Sequence, residues 1–461
     1  MDRRGTLLLL LIGFVGLMDC LDGTIVAVAL PTIASDMGVD VSTASWVSVA
    51  YFMMMAGTLI LFGRIAKNTS IRLVLLSGIA IFSISSLACG LSSSFLMLIV
   101  SRIAQGIGAA MMGATIPMCC VRFFPAHVLG YALAVVTIGY SVGAAVGPAL
   151  GGILVSSLSW HWIFYINVPI GIALIALLHI HLPKEKKDEE KVKVDYLGAL
   201  TLFIAIVGLV FLFENLGDLT IMIGSGIVFL IFIFAFAFHE LRIDEPLLSL
   251  SIFKHSAYDL SILVYFLVNV VYMGLSYLLP FYMAICLGFD STKTGMFLFI
   301  PALITMTVGM PIGRWSDSVG RKWFCVASCL ILALAMIVFA LMDDLKLPLF
   351  ILALICMGLM WAFAGGPMCS RVIECTVGES KEMGSTMLNE SAYLGSTIGT
   401  VLFAAMFTAL AGAGGVPIDM LTKDVFMGGF TITMLIGAAV SIIGAILSII
   451  VKDNTGSSES Q

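Results

Sequence analysis

Apolar runs of roughly 20 residues follow one another along the whole chain, parted by short polar stretches. A run of that length spans the hydrocarbon core of a bilayer once it coils into a helix. The helix also satisfies every backbone donor and acceptor within the segment, which lipid cannot do. The pattern predicts fourteen transmembrane helices, over residues 7–30, 44–63, 72–91, 95–118, 129–155, 162–181, 196–215, 220–239, 259–285, 292–312, 323–342, 347–367, 385–409 and 428–450. The first run is longer than a cleavable signal and lacks a small-residue cleavage site before the next crossing, so it is read as a retained helix. The expected class is an all-α polytopic membrane protein.

Two polar breaks organise the chain. Residues 182–195 carry Pro183 and the run KEKKDEEKVKVD, and residues 240–258 carry Pro246 and an alternating patch. They divide the chain into a six-helix bundle (1–181), a cytoplasmic linker (182–195), an inserted helix pair (196–239), an amphipathic cytoplasmic linker (240–258), a second six-helix bundle (259–450) and a cytoplasmic tail (451–461). A weak internal repeat supports related halves: GRIAKNTSIR at 63–72 and GRWSDSVGRK at 313–322 each follow the second crossing of a bundle.

Composition agrees. Hydrophobic residues make up 60% of the 461 positions and charged residues 11%, outside the range of a water-soluble domain. Charge supplies the orientation. With the N-terminus inside, the inner segments hold Arg3, Arg4, Arg64, Lys67, Arg72, Arg122, the 184–193 cluster, Arg242, Lys254, Arg314, Arg321, Lys322, Arg371, Lys381 and Lys452, whereas the outer ones hold Lys293, Lys346 and Lys423. Cytoplasmic loops collect Lys and Arg, so both termini are expected in the cytoplasm. The ten cysteines are scattered through apolar surroundings and read as small hydrophobic residues rather than disulfide or metal partners.

Against this background, intramembrane charge is the candidate chemistry. Asp19 and Asp22 stand three apart in the first run, about 60° from one another around a helix. Burial and a neighbouring like charge both favour the neutral acid, so the pair can exchange protons, and when ionised it attracts cations. A polar pair bonded to Ser, Thr or backbone groups is the plain structural alternative. Arg102 lies within 95–118 and needs an acid, a carbonyl or water as partner; Gln105 shares its face. Glu390, near Asn389 and Tyr393, reads as a second proton or cation site, or as a helix cap. Glu214 and Glu374 lie at helix edges, and Glu374 is the stronger substrate candidate because it belongs to the second bundle. Tyr51, Met54 and Tyr282 are candidate substrate contacts. Gly139, Gly143, Gly147, Pro148, Gly151 and Gly152 give the fifth helix a face with little bulk, against which another helix can pack or slide.

Several stretches together carry a resemblance over nearly the whole chain. LDGTIVAVALP (21–31), SRIAQGIGAA (101–110), GYSVGAAVGPALGG (139–152) and WHWIFYINVPIG (160–171) occur in order, followed by EPLLSLSIFKH (245–255), YLLPFYMAICLG (277–288) and FIPAL (299–303). The sequence resembles the major facilitator superfamily, and within it the fourteen-helix drug:proton antiporters. The resemblance implies two six-helix bundles with two inserted helices and a central acid at Asp22. It also implies a proton-transfer role for Arg102, a gating role for the fifth-helix glycines, and an inner-loop latch from Gly313, Asp317, Gly320, Arg321 and Lys322. The chain departs from the family pattern at Ala27, His161 and Ala284. In the first loop, Lys67 and Ser70 replace the usual Asp and Gly, which removes the expected acidic latch.

The resulting expectation is proton-coupled export of lipophilic, cationic small molecules by alternating access, with Asp22, Asp19, Arg102 and Glu390 coupling protons and Asp22, Tyr51, Met54, Tyr282, Glu390 and Glu374 contacting substrate. A specific metabolite exporter or facilitator on the same fold is the alternative, and a transporter-derived receptor a further one. No nucleophile, base and oxyanion arrangement, metal cluster or phosphate loop points to an enzyme. No cofactor, nucleic acid or metal is expected; the partners are the small solute, protons and lipids. The expected setting is a monomer in a prokaryotic cell membrane.

Overall fold

Hydropathy marks where a chain can cross a bilayer, and in the computed structural model the helices follow it while running past it at most ends. The structure describes residues 3–125, 128–183, 194–243, 246–248, 256–342, 347–375 and 381–451, with the side chains of 381–386 excepted. The charged 184–193 cluster, most of the second linker including Lys254, Lys346 and the tail from Lys452 lie outside them.

The helices are α1 (Arg3–Met37), α2 (Val41–Asn68), α3 (Ile71–Gly90), α4 (Phe95–Phe123), α5 (Leu129–Ser157), α6 (Trp162–Tyr165), α7 (Asn167–His181), α8 (Tyr196–Glu214), α9 (Leu219–Glu240), α10 (Ser256–Ile285), α11 (Ser291–Val319), α12 (Lys322–Ala340), α13 (Leu347–Glu374), α14 (Lys381–Ala411) and α15 (Lys423–Ile450). Among the described residues, α6 and α7 form one crossing and fourteen stretches are long and apolar enough to span a membrane. The chain is an all-α, fourteen-helix integral membrane protein.

Polar caps start two helices ahead of the predicted runs: Asp40 and Asp290 accept from the backbone N–H groups of Thr43 and Lys293. The predicted continuous helix over 162–181 is interrupted at Ile166. Pro169 has no N–H to give to the carbonyl four residues earlier, and the ladder breaks there.

Because the crossings are even in number, both termini lie at one end, called here the termini end; the opposite one is the far end. Four glycines at intervals of four, Gly139, Gly143, Gly147 and Gly151, press α5 against α1, at the Gly13 and Leu17 carbonyls, the Thr24 hydroxyl and Ile25, where a Cβ would overlap atoms already present. Gly152, on the other side of α5, meets Ser291 and Gly295 of α11 instead. α8 packs on α9 and touches α2 and α14; α9 meets α8 and otherwise turns Ile227, Ile231, Phe234 and Phe238 outward.

Among the described residues, hydrogen bonds between the first six and last six crossings gather at the far end. Ser35 Oγ donates to Asp419 at 2.8 Å, Gly415 N–H to Asp40 at 2.7 Å, Thr292 N–H to Ser156 Oγ at 3.0 Å, and the Tyr277 hydroxyl to the Val41 carbonyl. Thr32 and Ser291 hydroxyls are 3.3 Å apart. The far end is sealed by these bonds and by the contact of Gly152 with α11.

Candidate functional site

A helix that must bury an acid needs donors from its neighbours, and for Asp22 α1 obtains them from α4 and α7. Asp22 is fully buried. Its Oδ2 accepts from Arg102 Nη1 at 2.7 Å, and its Oδ1 accepts from Gln105 Nε2 and Asn167 Nδ2, both at 2.8 Å. Arg102, 1% exposed, also donates from Nη1 to Gln105 Oε1 at 2.7 Å and from Nε to the Val47 carbonyl at 2.8 Å. Its guanidinium lies 4.3 Å from the Tyr51 ring centroid, a cation–π contact shielded from water. Gln105 Nε2 donates further to Ser86 Oγ at 2.8 Å. A charge pair removed from water holds together only when its remaining lone pairs and protons are used, and here most of them are.

Asp19, one turn toward the termini end, is treated differently. Its Oδ1 accepts from the Tyr51 hydroxyl at 3.0 Å, and Tyr140 of α5 stands beside it. Tyr51 therefore touches both sites, with its ring beneath Arg102 and its hydroxyl on Asp19. Tyr393 of α14 lies electrostatically close to both Asp19 and Glu390, linking the two halves of the molecule. Glu390 is 2% exposed, and neither of its carboxyl oxygens has a hydrogen-bond donor among the described residues.

The structure thus gathers Asp19, Asp22, Arg102 and Tyr51, with Glu390 across from them by way of Tyr393. Met54 sits next to this group on α2 and packs against Gly106 of α4. Tyr282 is elsewhere: its ring stacks on Phe430 with centroids 4.9 Å apart and packs on Phe350, within the core of α10, α13 and α15. Glu374 also stands apart, paired with Arg321, which holds Asp317 Oδ1 at 2.6 Å. An acid expected in the substrate cavity is therefore bonded to the expected inner-loop latch at the termini end. Gly320 ends α11 with φ of 101°, a left-handed geometry that suits glycine, while nothing lies within 4 Å of a Cβ placed on Gly313. Lys322 begins α12. At the first loop, Ser70 caps α3 through the Leu73 amide, and Lys67 is exposed. Glu214 accepts from Trp46 Nε1 at 3.0 Å beside a far-end cavity of about 440 Å³.

Asn167, Ser86 and Tyr140 are additional members of the site. Asn167 had a visible signal, being an amide in the otherwise apolar stretch WIFYINVPIG; the other two had none beyond ordinary polarity.

A profile of the Major Facilitator Superfamily matches residues 12–400. Among curated proteins, the riboflavin transporter RibZ of Clostridioides difficile (strain 630) is 29% identical over 391 residues, 85% of each chain. Multidrug resistance protein 3 of Bacillus subtilis (strain 168) is 33% identical over 306 residues, 64% of this chain and 58% of that one. Among solved structures, a bacterial homologue of the human lysosomal transporter Spinster, in an inward-facing and unoccupied conformation, superposes with a TM-score of 0.73 at 16% identity, covering 98% of this chain and 97% of that one.

Proposed function

The chain belongs to the Major Facilitator Superfamily, a family of carriers rather than enzymes, and from that premise we propose that it moves a specific small-molecule metabolite by alternating access, linked to protons through Asp19. The observation that carries this reading is the occupancy of Asp22. Both of its oxygens are engaged, and Arg102 balances its charge. An acid so compensated offers little net attraction to a passing cation, which favours a solute recognised by shape and hydrogen bonds. Asp19 has fewer partners and is the better proton carrier. The riboflavin transporter relative, aligned over 85% of both chains, supports a metabolite as cargo.

In this reading residues 1–181 and 259–450 act as two bundles that rock about the site, with the helix pair 196–239 outside the passage. The termini end faces the cytoplasm of a prokaryote, and one chain suffices. Solute enters from that side while the far end is sealed, proton binding and solute binding compete, and rocking exposes the site outward. Coupling requires that competition, because independent binding would leave the two gradients unlinked.

A second reading, proton-coupled export of lipophilic cations, is favoured by Glu390, whose buried carboxyl has no donor among the described residues, and by the shorter multidrug alignment. Sealed proteoliposomes under an imposed proton gradient separate the two. Riboflavin should move with the gradient in the wild type and lose that dependence in Asp19→Asn. Gradient-driven movement of tetraphenylphosphonium without any flavin movement would overturn the metabolite reading in favour of the second.

A further inference from the structure

The linker between the inserted pair and α10 is gripped by a second buried acid cluster, far from Asp22. Asp195 caps α8: its Oδ1 accepts from the Gly198 amide and from His239 Nε2, each at 2.9 Å. Glu240, the last residue of α9, accepts the Leu248 amide on Oε2 at 3.0 Å. The two carboxyl groups converge on Gly198: a Cβ there would lie 2.1 Å from Asp195 Oδ2 and 2.7 Å from Glu240 Oε1. Asp195 is 7% and Glu240 5% exposed, and Asp195 Oδ2 and Glu240 Oε1 have no hydrogen-bond partner among the described residues. Two carboxyl oxygens can bond only through a proton held between them.

The surroundings make this a junction. Leu247 and Leu248 pack with Ala199 and Phe236 of the inserted pair, and against Ile60 and Leu61 of α2 and Met387 of α14. Arg64 of α2 reaches the same linker, donating from Nη2 to the Pro246 carbonyl at 2.6 Å. Helices from the first six crossings, the inserted pair and the last six crossings therefore meet on three linker residues. The charged and titratable groups near the pair, among the described residues, are His239 of α9, Arg64 of α2, and Arg242, whose guanidinium lies over the Phe238 ring at 3.8 Å.

We propose that Asp195 and Glu240 share one proton, and that this proton fastens the 246–248 linker to the inserted pair, making the junction a pH-sensitive clamp at the termini end. Burial opposes ionisation of Asp195, but the Gly198 amide, His239 and Glu240 outweigh it and hold its carboxyl below the ordinary range. Asp195 therefore stays ionised and the shared proton sits on Glu240. The sign follows. The clamp is closed while Glu240 keeps its proton; raising the pH removes it, sets two like charges face to face, and pushes Glu240 off the Leu248 amide.

Hydrogen exchange on the purified full chain in nanodiscs tests this, following the Leu248 amide between about pH 6 and about pH 9. In the wild type, exchange should rise about tenfold or more beyond the intrinsic base-catalysed increase, tenfold being one pKa unit of linkage. Glu240→Gln should remove the excess, because its amide donates to Asp195 without titrating while its oxygen still accepts from Leu248. Asp195→Asn should do the same from the other side, keeping the helix cap, and it serves as the test if the first variant fails to fold. An excess equal in all three proteins, or none in the wild type, would overturn the clamp.

Discussion

Asp22 and Glu390 are both acids sealed away from water, yet their surroundings differ so much that their removal should have opposite consequences. Asp22→Asn leaves the guanidinium of Arg102 buried with only neutral oxygens to meet it, and breaking one side of a buried pair costs about 3–5 kcal/mol. Glu390→Met deletes a carboxyl that no described residue bonds and replaces it with apolar bulk, so stability should rise by about 1–3 kcal/mol. Thermal unfolding in detergent reads both, and a lower melting temperature for Glu390→Met would show that its carboxyl has a donor. At this scale the sequence was informative about charge and less so about partnership. Asp19, Asp22, Arg102 and Glu390 stand out because ionisable groups are rare in apolar runs. Nothing along the chain says that Arg102 reaches 80 residues back to Asp22 or that Asn167 completes the acid's shell, since neutral polar residues are common in membrane helices. Tyr282 and Glu374 show the converse: a position in the right helix did not reveal which way the side chain turns.

Helices pack as closely as their smallest residues allow, and the α5 glycine stripe splits that closeness between two neighbours. Gly139, Gly143, Gly147 and Gly151 fix α5 to α1, whereas Gly152 touches Ser291 and Gly295 of α11 at the far-end seal. A methyl group at 152 would meet the Ser291 carbonyl, and overpacking of this kind costs about 1–3 kcal/mol. The cost falls on the sealed state and is relieved when the far end opens, so Gly152→Ala should move the sealed-to-open ratio by about 5- to 150-fold. Spin labels at Leu158→Cys and Met420→Cys, both exposed at the far end, should then show a larger long-distance population; an unchanged distribution would assign Gly152 to packing alone. The fourteen helices and the glycine face were both legible, because hydropathy and spacing are local properties. Helix ends were not, since capping by Asp40 or Asp290 carries helices beyond the apolar run. The break at Ile166 was hidden because Pro169 lies inside a run long enough to span on its own.

A carrier must make its two end states nearly equal in free energy, and the distribution of bonds between its halves shows how this molecule approaches that balance. The sealing bonds at the far end are few and polar: Ser35 with Asp419, Asp40 with Gly415, Tyr277 with Val41, and Thr292 with Ser156. Each contributes about 0.5–1.5 kcal/mol net, so the seal can be tipped by the binding energy of one solute or one proton. At the termini end, the pairs from Arg321 to Asp317 and Glu374 join α11 to α13 within the last six crossings. Both acids are more than 60% exposed, so each pair is worth about 0–1 kcal/mol in water and sets loop geometry more than the balance of states. The fully buried bond in the seal is therefore the more sensitive lever. Tyr277→Phe removes the hydroxyl that reaches Val41 while leaving the ring packed on Phe281, and it should favour the far-end-open state by about 2- to 12-fold. The same label pair measures it, and a distribution identical to wild type would mean that the seal is held by apolar packing rather than by its hydrogen bonds.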